Sequence, residues 1–368
     1  MSNIFIGLMT GTSADSLDLA AVDFTATQFK VIGLKNFAIP KQIKTQVLEQ
    51  TRSKELEQSS IEDLDIQLSK FFVKSIQEFM ISLSLETNQI VAIGSHGQTI
   101  KHEPNADLPF SLQIGNPQLL SNKLGIKTIG NFRDDDIAAG GQGAPLSPIF
   151  HKEVFASENE DRVIVNIGGI TNISVVGKSN LIGFDTGPGN CLIDAWIRLN
   201  KKENYDDKGR WAKSGKINQD LLNIVIGDDY FSLKHPKSTG PDYFNLNWLN
   251  TCLSKVGHEI DSTDVQTTLT ELTAISLSNS LKNLKLLSNQ IYLCGGGVHN
   301  DYLLSRISSR LGKSCSTTIE LGIDPDYLEA ICFAWLAYKR VNEVRFNMRD
   351  ITGSREKVYL GKIYFPIR

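Results

Sequence analysis

Four glycine-rich turns, each directly after an apolar run, carry most of the chemistry this chain can offer: "TGTSADS" at 10–16, "NIGGITN" at 166–172, "DTGPGN" at 185–190 and "CGGGVHN" at 294–300. Glycine lets backbone N–H groups approach a ligand with no Cβ in the way. The hydroxyls of Thr10, Thr12 and Ser13 add donors to the first turn. A helix start behind such a loop favours an anion. None of the four fits GxxxxGK[ST] or GxGxxG, which excludes a P-loop and a dinucleotide fingerprint. Asp185 closes the apolar run "LIGF" at the mouth of the third turn. A carboxylate on a rigid strand end suits a general base, and it equally suits an aspartate that bonds its own loop. Asp15 and Asp18 share that ambiguity, and either could orient a hydrated Mg²⁺, which takes few carboxylates and keeps its waters. The triple glycine Gly295, Gly296 and Gly297 offers a flat surface for an adenine ring, or close packing of strand on helix. Glu329 opens a helix, where a carboxylate favours the dipole.

One stretch is awkward. "NFRDDDIAAGGQGAPL" (131–146) sets Asp134, Asp135 and Asp136 before another glycine-rich run. Adjacent side chains on an extended segment point to opposite faces, which argues against a shared metal. His96 and His102 are six apart without any HExxH pattern, and suit structural or substrate contacts better than metal ligation.

The elements that must position these residues repeat. Residues "IFIGLM", "LAAVDF" and "KVIGLKNFAI" read as strands, the last stopping at Pro40. A long helix is expected to open at Ser60 with Asp63 as its capping-box partner. Its apolar stripe is Leu64, Leu68, Phe71, Phe72, Ile76, Phe79, Met80 and Leu83. "IVAIGSHG" reads as a buried strand, and "SLQIGN" leads to a helix near Pro117. Beyond about residue 130 the pattern restarts: "RVIVNIGG", "ISVVG" and "LIGFDTGPGN" as strands, then the helix "CLIDAWIRL". "IYLCGGGVHN" and the helices "DYLLSRISSRL" and "LEAICFAWLAYKRV" follow. Each half opens with a glycine-turn hairpin, which predicts two related α/β domains facing each other across a cleft.

Whole-chain quantities narrow the class. At 368 residues the chain exceeds one ordinary core. A formal net charge of -3 supplies no basic field for nucleic acid or an anionic membrane. The opening "MSNIFIGLM" lacks a basic n-region, and no stretch is apolar for the length of a membrane span. The five cysteines are scattered without CxxC spacing and read as reduced core thiols of a cytoplasmic protein.

Taken in order, "GLMTGTSADSLD", "GSHGQT", "LQIGN", "AAGGQGAPL", "NIGGITNI", "GFDTGPGN", "PKSTG", "LCGGGVHN" and "EAICFAWLA" resemble the anhydro-N-acetylmuramic acid kinase family, from Gly7 to the closing "VYLGKIYFP". The resemblance implies two ribonuclease-H-like domains of the actin/hexokinase-like ATPase superfamily, with ATP in a central cleft. The expected division is 1–128 and 129–368, the last strand being a candidate to return to the first domain. It also implies a coupled reaction: water opens the 1,6-anhydro bridge of 1,6-anhydro-N-acetylmuramic acid, and O6 takes the γ-phosphoryl group of ATP. The family's catalytic base falls on Asp185. Its phosphate turn falls on Gly11, Thr12, Ser13, Ala14, Asp15, Ser16, Leu17 and Asp18, and its substrate-contacting glutamate on Glu329. Further ATP contacts are expected at Gly168, Gly169, Asn172, Gly295, Gly296, Gly297 and Asn300. Substrate contacts are expected at His96, Gln98, Arg133 and Thr186, and Mg²⁺ at Asp15 or Asp18 through water. A homodimer is the expected assembly, with the sugar and ATP as small-molecule partners and neither nucleic acid nor membrane.

The chain departs from the family in places. Asp134 and Asp135 stand where arginines are usual and Asn131 where an aspartate is. Arginine suits that place because a guanidinium grips a carboxylate bidentately, and the muramic acid substrate carries a lactyl carboxylate. Pro241 and Asp242 replace arginine and glutamate, and Ala14 and Ser16 replace leucine and glycine. Three readings therefore stand: the family reaction, a kinase of a neutral anhydrosugar such as levoglucosan, and a nucleotide- or sugar-binding regulator without turnover.

Overall fold

The computed structural model describes residues 3–26, 29–53, 56–177, 181–286 and 290–367. The chain divides into two compact units, Met1–Phe150 with Tyr327–Arg368, and His151–Asp326. A boundary at 128/129 is therefore displaced, and the segment Tyr327–Arg368, more than the last strand alone, belongs with the first unit. The reason is packing on one sheet. The helix Leu328–Val341 lies against the first unit's central strands, and the strand Lys362–Tyr364 pairs antiparallel with the strand Thr128–Gly130.

In the first unit, β1 (Ile4–Thr10), β2 (Ser16–Asp23) and β3 (Lys30–Ala38) form an antiparallel meander. β4 (Ile90–Ser95) runs parallel to β1. A separate hairpin, β5 (Gln98–Glu103) and β6 (Phe110–Ile114), follows, then β7 (Thr128–Gly130) beside β4. The sheet reads 3-2-1-4-7 in these labels, closed by Lys362–Tyr364 at the β7 edge. On one face the helix Gln58–Ser82 buries Leu64, Leu68, Phe72, Ile76 and Phe79 against Ile6, Leu8, Leu17 and Leu19. Each such side chain contributes about 1.5–3 kcal/mol of transfer free energy. This helix starts at Gln58 rather than Ser60. The Ser60 hydroxyl donates to Glu57 at 2.9 Å and makes no cap. On the other face Gly7 and Gly94 let the helix Leu328–Val341 approach: a Cβ on Gly7 would lie 1.8 Å from the Ala330 carbonyl oxygen.

In the second unit, β8 (Arg162–Ile167), β9 (Ile170–Val176) and β10 (Leu181–Pro188) repeat the antiparallel meander. β11 (Gln290–Cys294) runs parallel to β8, and β12 (Ser316–Thr317) parallel to β11. The order is 10-9-8-11-12. Both sheets thus place three antiparallel strands and then parallel ones in the same sequence, as two ribonuclease-H-like domains require. The sheet core is Val163, Val165, Ile173, Phe184, Ile291 and Leu293, covered by Leu277 and Leu281 and by Leu303 and Ile307. The first two come from the helix Ser262–Asn283, the others from the helix Asp301–Leu311. Glu271, fully buried on the longer helix, is matched by Arg306 at 2.6 Å and by Arg310. That long helix went unread in the sequence.

Candidate active site

Asp185 sits near the end of β10, cross-strand from Asn172 on β9, and is 6 % exposed. Its carboxylate Oδ2 accepts the backbone N–H of Thr239 at 3.0 Å. Its own N–H donates to the Lys237 carbonyl at 3.1 Å. The Tyr230 hydroxyl donates to the Asp185 carbonyl at 2.7 Å. The carboxylate is therefore clamped by a neighbouring segment (237–239). Thr186 is buried and donates to the Thr171 carbonyl at 3.1 Å. The Asn172 side-chain oxygen is buried without a partner among the described residues, so a polar ligand beside Asp185 would satisfy it.

The glycine turns of this unit divide between roles. Gly168 and Gly169 connect β8 to β9, and their carbonyls accept the N–H groups of residues 189–191 at 2.9–3.0 Å. Their carbonyl side is thus spent on holding the loop after β10. Gly295 has φ +79, and a Cβ there would lie 2.3 Å from the Asn166 side-chain oxygen; on Gly297 it would meet Ile167 at 2.3 Å. Close packing explains both. Gly296 is exposed with nothing within 4 Å of its Cβ position, so it alone of the three presents open backbone. Asn300 is mostly buried and caps the helix Asp301–Leu311 by accepting the Leu303 N–H at 2.9 Å.

In the first unit the turn 11–15 joins β1 to β2. Ala14 is fully buried with φ 50, and its N–H donates to the Gly11 carbonyl at 3.1 Å. Thr12 and Asp15 are exposed, while Gly11, Ser13 and Ser16 are half-buried. Leu17 is core. Asp15 forms an ion pair with Lys44 from the helix Lys41–Arg52. Asp18 accepts the Ser16 hydroxyl at 3.0 Å. Glu329 lies half-buried in the first turn of its helix.

Arg133 brings the candidate sugar contacts together. One guanidinium nitrogen donates to the Gly143 carbonyl at 2.6 Å and another to Nε2 of His96 at 2.8 Å. The His96 proton is thereby assigned to Nδ1, 2.9 Å from the Gly97 carbonyl. Burial, then the Arg133 charge, holds His96 well below the ordinary histidine pKa, so the ring is neutral. The same two causes bring His102 down to about 3. Gln98 is fully buried, and its side-chain oxygen, Ser95 Oγ and His102 Nε2 are buried atoms without a hydrogen-bond partner among the described residues. Neutral donors and acceptors beside one cation suit a polyhydroxylated, singly anionic ligand.

Contrary to the expectation from sequence, the three aspartates do not lie on an extended segment. Residues Asp134–Ala138 are a short helix. Asp134 pairs with Lys362 at 2.9 Å and accepts from Asn131 at 3.0 Å, whose amide oxygen takes the Tyr364 hydroxyl at 2.9 Å. Asp135 lines a shallow cavity with Arg345, Lys357 and Tyr359. Asp136 is fully buried and accepts from the Gly143 N–H at 2.7 Å and the Thr352 hydroxyl at 2.8 Å. Among the described residues no group of three or more His, Cys, Asp or Glu is placed to hold a metal. Nor is any helix long and apolar enough to cross a membrane.

Sequence reasoning missed Lys237, Tyr230 and Thr239. The only signal for them was the "PKSTG" run, whose lysine is buried here.

A family model described as anhydro-N-acetylmuramic acid kinase matches residues 3–366. The chain is 43% identical over 369 residues to the anhydro-N-acetylmuramic acid kinase of Saccharophagus degradans, covering 99% of each chain. It is 43% identical over 363 residues to that of Pasteurella multocida, covering 98% of this chain and 96% of the other. Among solved structures it is similar to component A of the (R)-2-hydroxyglutaryl-CoA dehydratase of Acidaminococcus fermentans. That similarity has a TM-score of 0.48 at 11% identity, covering 93% of this chain and 100% of that one. The chain belongs to the anhydro-N-acetylmuramic acid kinase family.

Proposed function

We propose that this protein is an ATP-dependent kinase that opens the anhydro bridge of 1,6-anhydro-N-acetylmuramic acid and phosphorylates O6, a step of peptidoglycan recycling. Family membership and the clamped Asp185 carboxylate support the reading, and the carboxylate is the single observation that carries the mechanism. Asp185 takes a proton from water as the water oxygen bonds to C1. The C1–O6 bond breaks, and O6 attacks the γ-phosphorus of ATP, releasing ADP. The products are N-acetylmuramic acid 6-phosphate and ADP. An acetal oxygen is a poor nucleophile until its bridge opens, so one base starts both events.

The unit that holds β1 and β2 offers the phosphates the backbone and hydroxyls of Gly11 to Ser13. Asp15, paired with Lys44, or Asp18, which accepts the Ser16 hydroxyl, would hold a hydrated Mg²⁺ through water. When bound, Mg²⁺ neutralises phosphate charge. Gly296 is our candidate for the adenine face, Asn172 for a polar contact beside Asp185, and Arg133, His96, Gln98 and Glu329 for the sugar. Arg133 is our candidate cation for the lactyl carboxylate, and Asp134 next to it in sequence is paired with Lys362. We further take the protein to act as a cytoplasmic homodimer, in keeping with the family resemblance and with five cysteines that form no disulfide among the described residues.

The test is turnover of ATP with Mg²⁺ in ¹⁸O-water, offering 1,6-anhydro-N-acetylmuramic acid and levoglucosan side by side. A 6-phosphate of the muramic acid sugar with ¹⁸O at C1 is the expected product. Preference for levoglucosan would replace the substrate assignment, and silence with both would bring forward the regulator.

A further inference from the structure

Asp185 belongs to a closed ring of hydrogen bonds. The Tyr230 hydroxyl donates to the Asp185 carbonyl at 2.7 Å. The Tyr230 carbonyl accepts from Nζ of Lys237 at 3.0 Å. The Lys237 carbonyl accepts the Asp185 N–H at 3.1 Å. The ammonium also sits 4.4 Å from the centroid of the Tyr230 ring. Lys237 is only 6 % exposed. A buried ammonium is costly unless an anion balances it.

Among the described residues, the other charged and titratable groups around it are paired elsewhere or exposed. Asp228 is held by the Tyr243 hydroxyl and by Nε1 of Trp248, both at 2.8 Å. Glu271, on the helix Ser262–Asn283 that packs against β10, is matched by Arg306 and Arg310. Asp229, Asp242 and Lys234 are exposed. His235 is exposed as well, its ring stacked on Phe184 at 5.4 Å. Asp185, bonded through its main chain to both Tyr230 and Lys237, is the buried carboxylate whose charge acts on the ammonium.

We infer that Lys237 is a positioning residue for the reaction: its buried ammonium, held by Tyr230, keeps the Asp185 carboxylate ionised and aimed at the attacking water. The inference rests on the reading of Asp185 as the base. An opposite charge close by favours the ionised carboxylate, and so moves the pH at which a base becomes competent. The electrostatics agree. Burial pulls the Lys237 ammonium below the ordinary lysine value, and the Asp185 charge supports it against that. Burial, then the charge of Asp185, pushes the Tyr230 hydroxyl up, so it remains a donor.

The experiment is kcat against pH, with ATP and 1,6-anhydro-N-acetylmuramic acid, for the wild type, Lys237→Met and Tyr230→Phe. In Lys237→Met the acid limb should rise by roughly one to two pH units, with kcat recovering on the alkaline side and KM for ATP unchanged. A uniform loss of kcat with the limb in place would mean that Lys237 only supports the fold, and would overturn the inference. Tyr230→Phe retains the charge and should lower kcat by a similar factor at every pH. A limb shift there as large as in Lys237→Met would assign the effect to the hydroxyl and overturn it too. Asp185→Asn separates the two layers. Wild-type turnover in that variant sinks the base reading itself, whereas a dead variant beside an unmoved Lys237→Met limb sinks only this inference. If Lys237→Met does not fold, ¹³C titration of aspartate carboxyls in the wild type decides, with Asp185 assigned by its loss in Asp185→Asn. A value below the ordinary aspartate pKa of about 3.9 supports the inference and a higher one refutes it.

Discussion

The two units share a strand order and exploit it at opposite places. In the second unit the β8–β9 turn is short, and its carbonyls are sealed by the N–H groups of residues 189–191. In the first unit the β1–β2 turn spans residues 11–15 and leaves Thr12 and Asp15 exposed. The third strands are reversed in the same way. Asn36 on β3, cross-strand from Asp18, is exposed, whereas Asp185 on β10, cross-strand from Asn172, is buried beneath residues 237–239. One scaffold therefore yields an open turn in one copy and a clamped carboxylate in the other. Turn length and the segment covering the third strand set the difference, and the sheet does not.

The hardest blow to this contrast is a pair of substitutions at matched strand positions. Asp185→Asn should lower kcat by about 10²–10⁴-fold with the Kd for ATP unchanged by calorimetry. Asn36→Ala should change kcat by less than about twofold, as expected at a surface site without a special role. Comparable losses from both would erase the distinction between the third strands. A second pair divides the glycines of the loop after β11. Gly295→Ala forces a left-handed alanine against Asn166 and should cost more than about 2 kcal/mol in a denaturant melt. Gly296→Ala has open space and should melt like the wild type while raising KM for ATP. A Gly296→Ala variant with unchanged KM removes the adenine face from that residue.

Much of this architecture was legible because apolar runs ended in glycine turns. The run "LIGF" before Asp185 is a buried strand, and "RVIVNIGG" and "ISVVG" pair as a hairpin. The helix Ser262–Asn283 was not legible, since its many threonines and serines lower helix propensity and its apolar residues split into two stripes, Val265, Leu269 and Leu272 in one cluster and Ala274, Leu277 and Leu281 in another. It is stable because its hydroxyls bond within the fold. Thr267, Thr268 and Thr270 donate to carbonyls four residues back, and Thr273 donates to the carbonyls of Pro188 and Gly189. The return of residues 327–368 to the first unit was only half visible, because strand order is a long-range choice that local pattern does not encode. Lys237 was hidden for a related reason: a lysine reads as surface until the fold buries it.

Acid should also distinguish the units. Burial lowers His96 and His102 in the first unit, the latter to about 3, and His151 in the second to about 3. Each stays neutral when folded but takes a proton in the unfolded chain below about pH 6.5. The unfolded state then binds more protons, so stability is full above pH 6.5 and falls as pH drops below it. Each histidine can remove up to about 2 kcal/mol between pH 7 and pH 5. Burial raises Asp136, which has the opposite sign: its contribution favours the folded state as pH falls through its own raised value. With two such histidines against one, the first unit should lose more amide-exchange protection between pH 7 and pH 5. Equal losses would mean that His96 or His102 is not held neutral.

The smallest effect tests the aspartate run. Asp134 and Lys362 are partly exposed at 29% and 52% of their side chains. Such a pair contributes about 0–1 kcal/mol. Asp134→Arg restores the residue the family usually carries and sets it against the Lys362 ammonium, so the melt should fall by no more than about 1 kcal/mol. If Arg133 alone handles the lactyl carboxylate, KM for 1,6-anhydro-N-acetylmuramic acid should stay within about twofold, since a single guanidinium already supplies a bidentate contact. A tenfold fall in KM would instead show that position 134 reads the substrate's charge. The aspartates would then mark a site with weakened affinity for anionic sugars, and the pairing of Asp134 with Lys362 would be a consequence of that change rather than the reason it is tolerated.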